Sequence, residues 1–359
     1  MNVPAPKISL IVPVFNVEKY LSESLESALG QTLSEIEILC VNDGSTDASG
    51  TILHKFAEHD ARIRVFEKEN SGYGETVNFG IARARGKYIG ILEPDDTLVP
   101  AAMQTLFEEA EKFRADVAKG DYFFLRGNRR ERAHALRNCP QNVVTNAGEC
   151  GELFALPLSV WSAIYRAEFL HANDILFNDT PGASFQDNAF SFKVFAAAER
   201  AVLVDAPIVN YRQDNAGSSM HARNKTFCIV DELRELERWL DKRPILRERF
   251  AYDKWLFHYK AYFANLQRAP RGRRDEFFAL FVREFREARD RGELPEKLFP
   301  RLGNRLPMLL DEPEKFSRYA RCRAVLDAFR RAKKNIFSVK RSRDGWRIVL
   351  FGFRFSSKK

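Results

Sequence analysis

The chain of 359 residues is 45% apolar and 30% charged, a globular profile with more material than one ordinary hydrophobic core needs, so two lobes or a domain with a large extension are expected. Five scattered cysteines without a CxxC pair argue against a zinc site or a disulfide framework and fit a reducing compartment; no apolar stretch approaches the roughly 18 residues of a membrane span. The net charge of +8 gathers at the C-terminal end, where Arg330 to Lys359 hold eleven Lys or Arg against one acid, Asp344: a tail suited to anionic membrane surfaces, acidic glycans or nucleic acid, or simply a solvated surface.

The N-terminal MNVPAPKISLIVPVF lacks the basic segment and long apolar core of a signal peptide, so a cytoplasmic protein is expected, at most peripheral at the inner face of a membrane. Ile8 to Phe15 is a short, β-branched apolar run, the mark of a strand buried on both faces. Tyr20, Leu21, Leu25, Ala28 and Leu29 follow at helical spacing over 18–29. Ile36 to Val41 predicts a second strand, Thr46 to Glu58 a second helix, Arg62 to Phe66 a third strand, Gly74 to Ala84 a third helix, and Tyr88 to Leu92 a fourth strand. This βαβα succession predicts a mostly parallel sheet with helices on both sides.

Val117 to Leu125 is a further strand candidate, followed by a polar, Arg-rich loop around Gly127 to Arg132. Residues 157–225 mix short apolar runs with Gly, Pro and Asn, as expected of a substrate-contacting half with long loops. From Thr226 the pattern is helical. Phe227, Val230, Leu233, Leu236 and Leu240 repeat at three or four, as do Trp255, Tyr259, Tyr262, Phe263 and Leu266, then Phe277, Phe278, Phe281 and Phe285. Such stripes are helix-packing faces rather than a cofactor box. Pro295, Pro300, Pro307 and Pro313 interrupt the stretch before a last helix near 315–334, and Trp346 to Phe355 suggests a β-hairpin or an amphipathic anchor.

In an open parallel sheet, ligands sit at the carboxyl ends of the strands. Three of the first four strands end in polar clusters: Pro13-Val14-Phe15-Asn16, Asn42-Asp43-Gly44-Ser45-Thr46-Asp47 and Glu93-Pro94-Asp95-Asp96. The loop after the third strand adds Asn70-Ser71-Gly72-Tyr73-Gly74. Neither GxGxxG nor GxxxxGK[ST] is present, which disfavours a dinucleotide crossover and removes a phosphate-cradling loop. A carboxylate at a strand end accepts from a base imide N–H, a role open to Asp43. Successive carboxylates hold a hard divalent cation on a diphosphate, a role open to Asp95 with Glu93 or Asp96. Singly, each cluster has a plainer alternative: a tight turn with Ser45 or Thr46 capping the next helix, or Asp96 or Thr97 capping a helix that starts near Pro100. Their placement at corresponding ends of neighbouring strands favours the functional role.

PVFNVEKYL, EIEILCVNDGSTDAS and NSGYGETVNFGIARARGKYIGILEPDD, in that order over about the first 120 residues, resemble the N-terminal half of the family-two glycosyltransferases of bacterial polysaccharide or lipopolysaccharide type. The resemblance resumes at VWSAIYRAEFL (160–170), PGASFQDNAFSFKVF (181–195) and VNYRQDNAGSSM (209–220). It implies an α/β fold of the GT-A type, with a mostly parallel central sheet and a C-terminal helical extension. It also implies a nucleoside-diphosphate sugar donor (a UDP-sugar first), Mg or Mn, and inverting transfer to the hydroxyl of a glycan or lipid-linked acceptor.

Carried over residue by residue, Pro13, Phe15 and Asn16 wall the base with Glu18 close by, and Asp43 binds the base. Asn78 remains of an element whose usual Arg is here Val77. Asp95 matches the last carboxylate of the DxD metal motif, Glu93 stands at its first position, and Asp96 is adjacent. Asp187 matches the catalytic base, preceded by Gln186 where the family has Glu. Inverting transfer needs such a carboxylate opposite the departing diphosphate, and a neutral neighbour leaves it less basic than a like-charged one. The alternative role of Asp187 is to cap the helix NAFSFKVFAAAE. Trp161 and Tyr165 belong to the acceptor wall or to the core. Tyr211-Arg212 and Ser218-Ser219 lie in a loop that closes over diphosphate or acceptor, with Arg212 stabilising the leaving group or merely a surface residue.

The expected organisation is a donor half (1–120), an acceptor half (121–225), a helical extension (226–335) and a basic tail or hairpin (336–359). The six His residues show no metal-ligand spacing, and only His221 lies near a motif. The favoured function is an inverting glycosyltransferase of surface polysaccharide or glycolipid synthesis. The alternative is a catalytically degenerate nucleotide-sugar or glycan binding protein on the same fold, kept open by Val77, Glu93 and Gln186. For the tail, peripheral membrane contact near a lipid-linked acceptor is expected rather than nucleic acid.

Overall fold

In a computed structural model of the chain, which describes residues 5–180, 182, 185–215, 225–342, 345–350 and 353–358, the apolar N-terminal runs become the middle of a sheet. β1 (Ile8–Val14) and β2 (Ile36–Asp43) are buried at every position. β3 (Ile63–Lys68) and β4 (Tyr88–Ile91) lie parallel beside them, the order being β3-β2-β1-β4. The crossovers are α1 (Glu18–Leu29), α2 (Ser49–His59) and α3 (Tyr73–Ile81). Leu21, Leu25 and Ala28 of α1 and Leu53 of α2 supply the apolar faces that pack on the strands. From β1 the chain proceeds to β2 and β3 on one side and returns to β4 on the other, which opens a crevice at the carboxyl ends of β1 and β4.

The second half completes ten strands. In order come β5 (Thr97–Leu98), α4 (Ala102–Phe113), β6 (Val117–Arg126), β7 (Arg129–Arg132), β8 (Val144–Thr145), β9 (Ala163–Arg166), α5 (Ala167–Ala172), α6 (Gln186–Ala197) and β10 (Ala201–Arg212). β9 pairs antiparallel with both β4 and β6, β6 runs parallel to β10, and β5 closes the far edge against β10. The sheet is therefore mixed, with four parallel strands on the donor side and a further parallel pair, β6 with β10, beyond β9.

Three local expectations are corrected. The Arg-rich stretch after Gly127 is not a loop: β7 pairs antiparallel with β6 across a turn at Gly127 (φ +51°), and Arg132 Nε reaches Asp121 Oδ2 at 2.8 Å. Ser45 and Thr46 do not cap α2, which begins three residues later with Asp47 Oδ1 accepting from Ser49 N at 2.9 Å. Nor does Asp96 or Thr97 cap α4; Gln31 Oε1 takes the Met103 N–H at 3.0 Å.

The contacts of the chain divide it into Met1–Phe257 and His258–Lys359. α7 (Cys228–Asp241) and α8 (Pro244–Arg249) fall in the first unit. The second contains the end of α9 (Ala251–Arg268), α10 (Arg271–Asp290), α11 (Leu298–Leu302), α12 (Arg305–Asp311) and α13 (Pro313–Ile336). Its aromatic stripes form the core there. The ring of Phe281 meets Tyr259, Tyr262, Phe285 and Phe316 edge-on, with centroids 5.7, 5.4, 5.1 and 6.0 Å away. Pro300, Pro307 and Pro313 sit in the first turns of α11, α12 and α13, where a missing N–H costs nothing. β11 (Phe337–Ser342), β12 (Gly345–Leu350) and β13 (Phe353–Lys358) form an antiparallel sheet, so the stretch from Trp346 to Phe355 is a pair of strands. Among the described residues no helix is long and apolar enough to cross a membrane.

Candidate active site

The carboxyl ends of β1 and β2 are tied together by their own side chains. Asn16, in the left-handed region at φ 48°, accepts from Thr46 N at 2.8 Å, and its own N–H reaches Ser45 Oγ at 3.1 Å. Glu18 Oε2 accepts from Ala48 N at 2.8 Å. These two expected donor contacts thus spend polar atoms on the turn, while Phe15, 50% exposed, offers an open apolar surface beside it. Pro13 is buried within β1.

Asp43 ends β2 nearly buried. Its Oδ1 accepts from Lys68 Nζ at 2.7 Å and from Ser71 N at 2.9 Å, and its Oδ2 from Gly72 N at 3.0 Å. Burial opposes its charge, but Lys68 and the two backbone donors outweigh burial and hold the carboxyl below its ordinary range. The base-binding candidate is therefore an ionised carboxylate that also anchors the loop from Asn70 to Gly74.

That loop is pressed, backbone against backbone, on Asn178, Thr180 and Gly182. Tyr73 N donates to Gly182 O at 3.0 Å. A Cβ on Gly72 (φ +101°) would stand 2.6 Å from Gly182 N, and one on Gly74 2.1 Å from Asn178 O, so neither position has room for a side chain. Asn78 adds a reciprocal pair, its Nδ2 donating to Phe177 O at 2.9 Å and its Oδ1 accepting from Phe177 N at 3.0 Å. Asn78 therefore joins the halves, while Val77 is core.

This junction brings Asp187, in the first turn of α6, to the turn after β4. Tyr73 Oη donates to Glu93 Oε1 at 2.6 Å. Glu93 is pushed up to about 7: burial raises it most, the Tyr73 hydrogen bond opposes that, and the charges of Asp95 and Asp187 add to it. Asp187 rises to about 6 through burial, against hydrogen bonds from Asn188 and from the backbone. It is thus ionised at neutral pH yet more basic than a free carboxylate, as proton abstraction demands. Gln186 is buried and turned aside, donating to Thr180 Oγ1 at 3.0 Å and Gly182 O at 3.1 Å. Burial rather than a charge at position 186 sets the basicity of Asp187, and offsets the loss expected from a neutral neighbour.

Asp95 and Asp96 part company. Asp95 is half-buried, with Oδ2 accepting from Asn215 Nδ2 at 2.8 Å. Asp96 turns inward: Oδ1 accepts from Arg212 N at 2.7 Å and Oδ2 meets no donor among the described residues. Burial, then the Asp95 charge, pushes its pKa well above the usual range. Arg212 Nε holds Asp95 O at 2.8 Å, Nη2 holds Glu23 Oε2 at 2.6 Å, and the guanidinium lies over Tyr20 at 4.9 Å. It braces the Asp95 turn from behind.

Beside the acids stands an aromatic group. Trp161 lies 4.8 Å from Tyr211 and 5.0 Å from Tyr122 between ring centroids. Tyr165 belongs to the core, its Oη bonded to Val160 O at 2.8 Å. Ser218, Ser219 and His221 lie outside the described residues.

Among the described residues no three His, Cys, Asp or Glu gather as a metal cluster. Glu93 and Asp95 nevertheless fit a hard dication of the Mg or Mn kind, which takes one or two carboxylates and completes its shell with substrate phosphate and water. The mutual repulsion that helps raise Glu93 is what such a charge relieves. The roles of Tyr73 and Lys68 escape a reading by motif. Only the glycines flanking Tyr73 hint that its backbone is closely engaged.

A strand-end carboxylate, an exposed apolar ring and a group of acids thus gather at the carboxyl ends of the parallel strands, where sheets of this kind bind ligands. The family model described as glycosyl transferase family 2 matches residues 9–196, and the chain belongs to that family. The glycosyltransferase EpsJ of Bacillus subtilis (strain 168) is 35% identical over 213 residues, which are 58% of this chain and 62% of EpsJ. The chain thus spans less than two thirds of that relative. Residues 1–349 of S. aureus TarS share the fold with a TM-score of 0.67, 18% identity and 98% of both chains covered. The same fragment in complex with UDP-GlcNAc gives a TM-score of 0.62 at 18% identity, covering 98% of this chain and 99% of that one. The fold is accordingly of the GT-A type, with a helical C-terminal region.

Proposed function

We propose that the chain transfers a sugar from a nucleoside-diphosphate sugar, a UDP-sugar first, to an acceptor hydroxyl with inversion, in surface polysaccharide or glycolipid synthesis. The observation that carries this is the approach of Asp187 to Glu93, close enough that its charge raises Glu93. Asp187 takes the acceptor's hydroxyl proton as that oxygen bonds to the anomeric carbon. The bond from that carbon to the diphosphate breaks, and the nucleoside diphosphate leaves with the electron pair. Asp43 faces the base, and Phe15 walls it. Glu93 and Asp95 would hold Mg or Mn, which would supply positive charge to the leaving diphosphate. Trp161 and Tyr211 offer aromatic faces to acceptor sugar C–H groups. The fold shared with TarS, whose fragment was solved with UDP-GlcNAc, supports the choice of donor.

The test is Asp187→Asn, assayed against a panel of nucleotide sugars for nucleoside-diphosphate release. Transfer should vanish while calorimetric donor binding stays within about threefold. Wild-type turnover in that variant would remove Asp187 from the role. Donor binding by the wild-type chain without any release, acceptor present or absent, would favour a binding protein on the same fold.

A further inference from the structure

α7 lies beyond the residues that match the family, yet one of its side chains reaches the segment that carries the proposed base. Glu232 is completely buried, at 0% exposure. Its Oε1 accepts from Asn178 Nδ2 at 3.1 Å and from Thr180 Oγ1 at 3.4 Å, while Oε2 meets no donor among the described residues. Thr180 Oγ1 in turn accepts from Gln186 Nε2 at 3.0 Å, next to Asp187. Asn178 also presents the carbonyl against which Gly74 packs. One carboxyl therefore joins Asn178, which packs on the donor loop, to Thr180, which is bonded to the first residue of α6.

Packing alone does not call for a carboxyl there. A buried carboxyl without a cation bonded to it costs more than an apolar side chain of similar volume. Lys193, whose charge acts on Glu232, is bonded elsewhere: its Nζ reaches Glu235 Oε1 at 3.1 Å and Leu176 O at 3.4 Å.

We propose that Glu232 is a positioning residue for sugar transfer, fixing Asn178 and Thr180 and, through the bond from Gln186 to Thr180, the placement of Asp187. This rests on the assignment of Asp187 as the base. The groups that act on Glu232 are Asp187 and Lys193 of α6, with Glu235 next along its own helix. Burial raises Glu232 to about 7; Asn178 opposes that, the Asp187 charge adds to it, and Lys193 and Thr180 oppose it.

The experiment uses the full chain with Glu232→Met, Thr180→Val and the double variant, with Glu232→Gln as the conservative comparison, reading kcat, donor KM and Tm. Glu232→Met keeps the volume but removes the oxygen that accepts from Asn178 and Thr180. It should lower kcat about tenfold, as a small misplacement of a reacting group does, with donor KM within about twofold, and Glu232→Gln, which keeps an acceptor oxygen, should restore most of the rate. Thr180→Val should lower kcat similarly, and the double variant should lose no more than either single one, because both changes cut the same connection. Wild-type kcat in Glu232→Met overturns the proposal, as do fully additive losses. If Glu232→Met does not fold, Thr180→Val decides alone, and unchanged kcat there overturns it. Asp187→Asn separates the two levels: turnover surviving that change defeats the transferase assignment, whereas turnover lost there but intact in Glu232→Met defeats only the positioning role.

Discussion

The phenol of Tyr73 donates to the Glu93 carboxylate at 2.6 Å, so the loop after β3 and the turn after β4 share one short, charge-assisted contact. Glu93 is already pushed up to about 7 by burial, and this hydrogen bond is what works against that rise. In Tyr73→Phe the carboxyl loses its donor, its pKa climbs further, and less of it is ionised at neutral pH. The expected result is a several-fold higher Mn concentration for half-maximal turnover, with stability lowered by about 1–3 kcal/mol. An Mn titration of transfer rate measures this; a half-saturation point identical to wild type would detach Tyr73 from the acidic pair.

Gly74 stands where the two halves of the site touch. An added Cβ would lie 2.1 Å from the carbonyl oxygen of Asn178, a backbone atom that cannot swing aside. Gly74→Ala should therefore cost about 1–3 kcal/mol of stability. It should also reduce kcat by more than ten times at temperatures where the variant remains folded, because the segment leading to Asp187 is displaced. Comparing chemical denaturation with kcat separates the two effects, and a folded variant with full activity would show that the junction does not set the geometry of transfer.

Much of this arrangement is legible in the sequence, and the rest follows a pattern. The runs that become β1 and β2 are apolar without interruption because both faces are covered, and topology then places Asp43 and Asp95 at one end of the sheet. What holds those residues is not legible, because the partners lie far along the chain. Asp43 is fixed from Lys68 to Gly72, and the start of α6 is fixed by glycines about a hundred positions earlier. Asp95 and Asp96 look interchangeable until the Arg212 N–H of β10 draws Asp96 inward. β7 carries only Arg and Glu, so no apolar alternation announces a strand. The caps were displaced for a similar reason: Asn16 occupies the N–H of Thr46, and helix α2 starts after it.

Lys119 gives the fold a pH signature of its own. Its amine is buried and bonded only to neutral oxygens, Ser159 O at 2.6 Å, Ser159 Oγ at 2.8 Å and Ser162 Oγ at 3.0 Å. Burial lowers its pKa to about 7, with the Asp121 charge opposing. The unfolded chain keeps that proton up to about pH 10.4. Between the two values the unfolded state binds the extra proton, so stability rises with pH across that window and is lost as pH falls through about 7. Asp187 and Glu232, raised to about 6 and about 7, act with the opposite sign, their contribution being present at low pH and gone above neutrality. Lys119→Met should remove a gain of order a few kcal/mol between pH 7 and pH 9.5. Urea unfolding at the two pH values checks it, and an unchanged difference between them would rule out Lys119 as its source.

The final sheet bears on where the protein works. Its register aligns Phe337 with Leu350, Val339 with Ile348, and Ile348 with Phe355, so apolar positions fall in line across three strands. Between them the sequence carries Lys340, Arg347, Arg354 and Lys358, and residues 337–359 hold seven Lys or Arg against one acid. At roughly 1 kcal/mol for each basic residue near an anionic surface, such a segment would add several kcal/mol of membrane affinity at low salt. The full chain should therefore pellet with vesicles rich in anionic lipid, far less with neutral ones, and should be released as salt shortens the screening length. A chain ending at Ile336 should lose that affinity by a hundredfold or more, on the order set by those charges. Equal pelleting of both chains would place the contact elsewhere, and pelleting insensitive to salt would make it apolar rather than electrostatic.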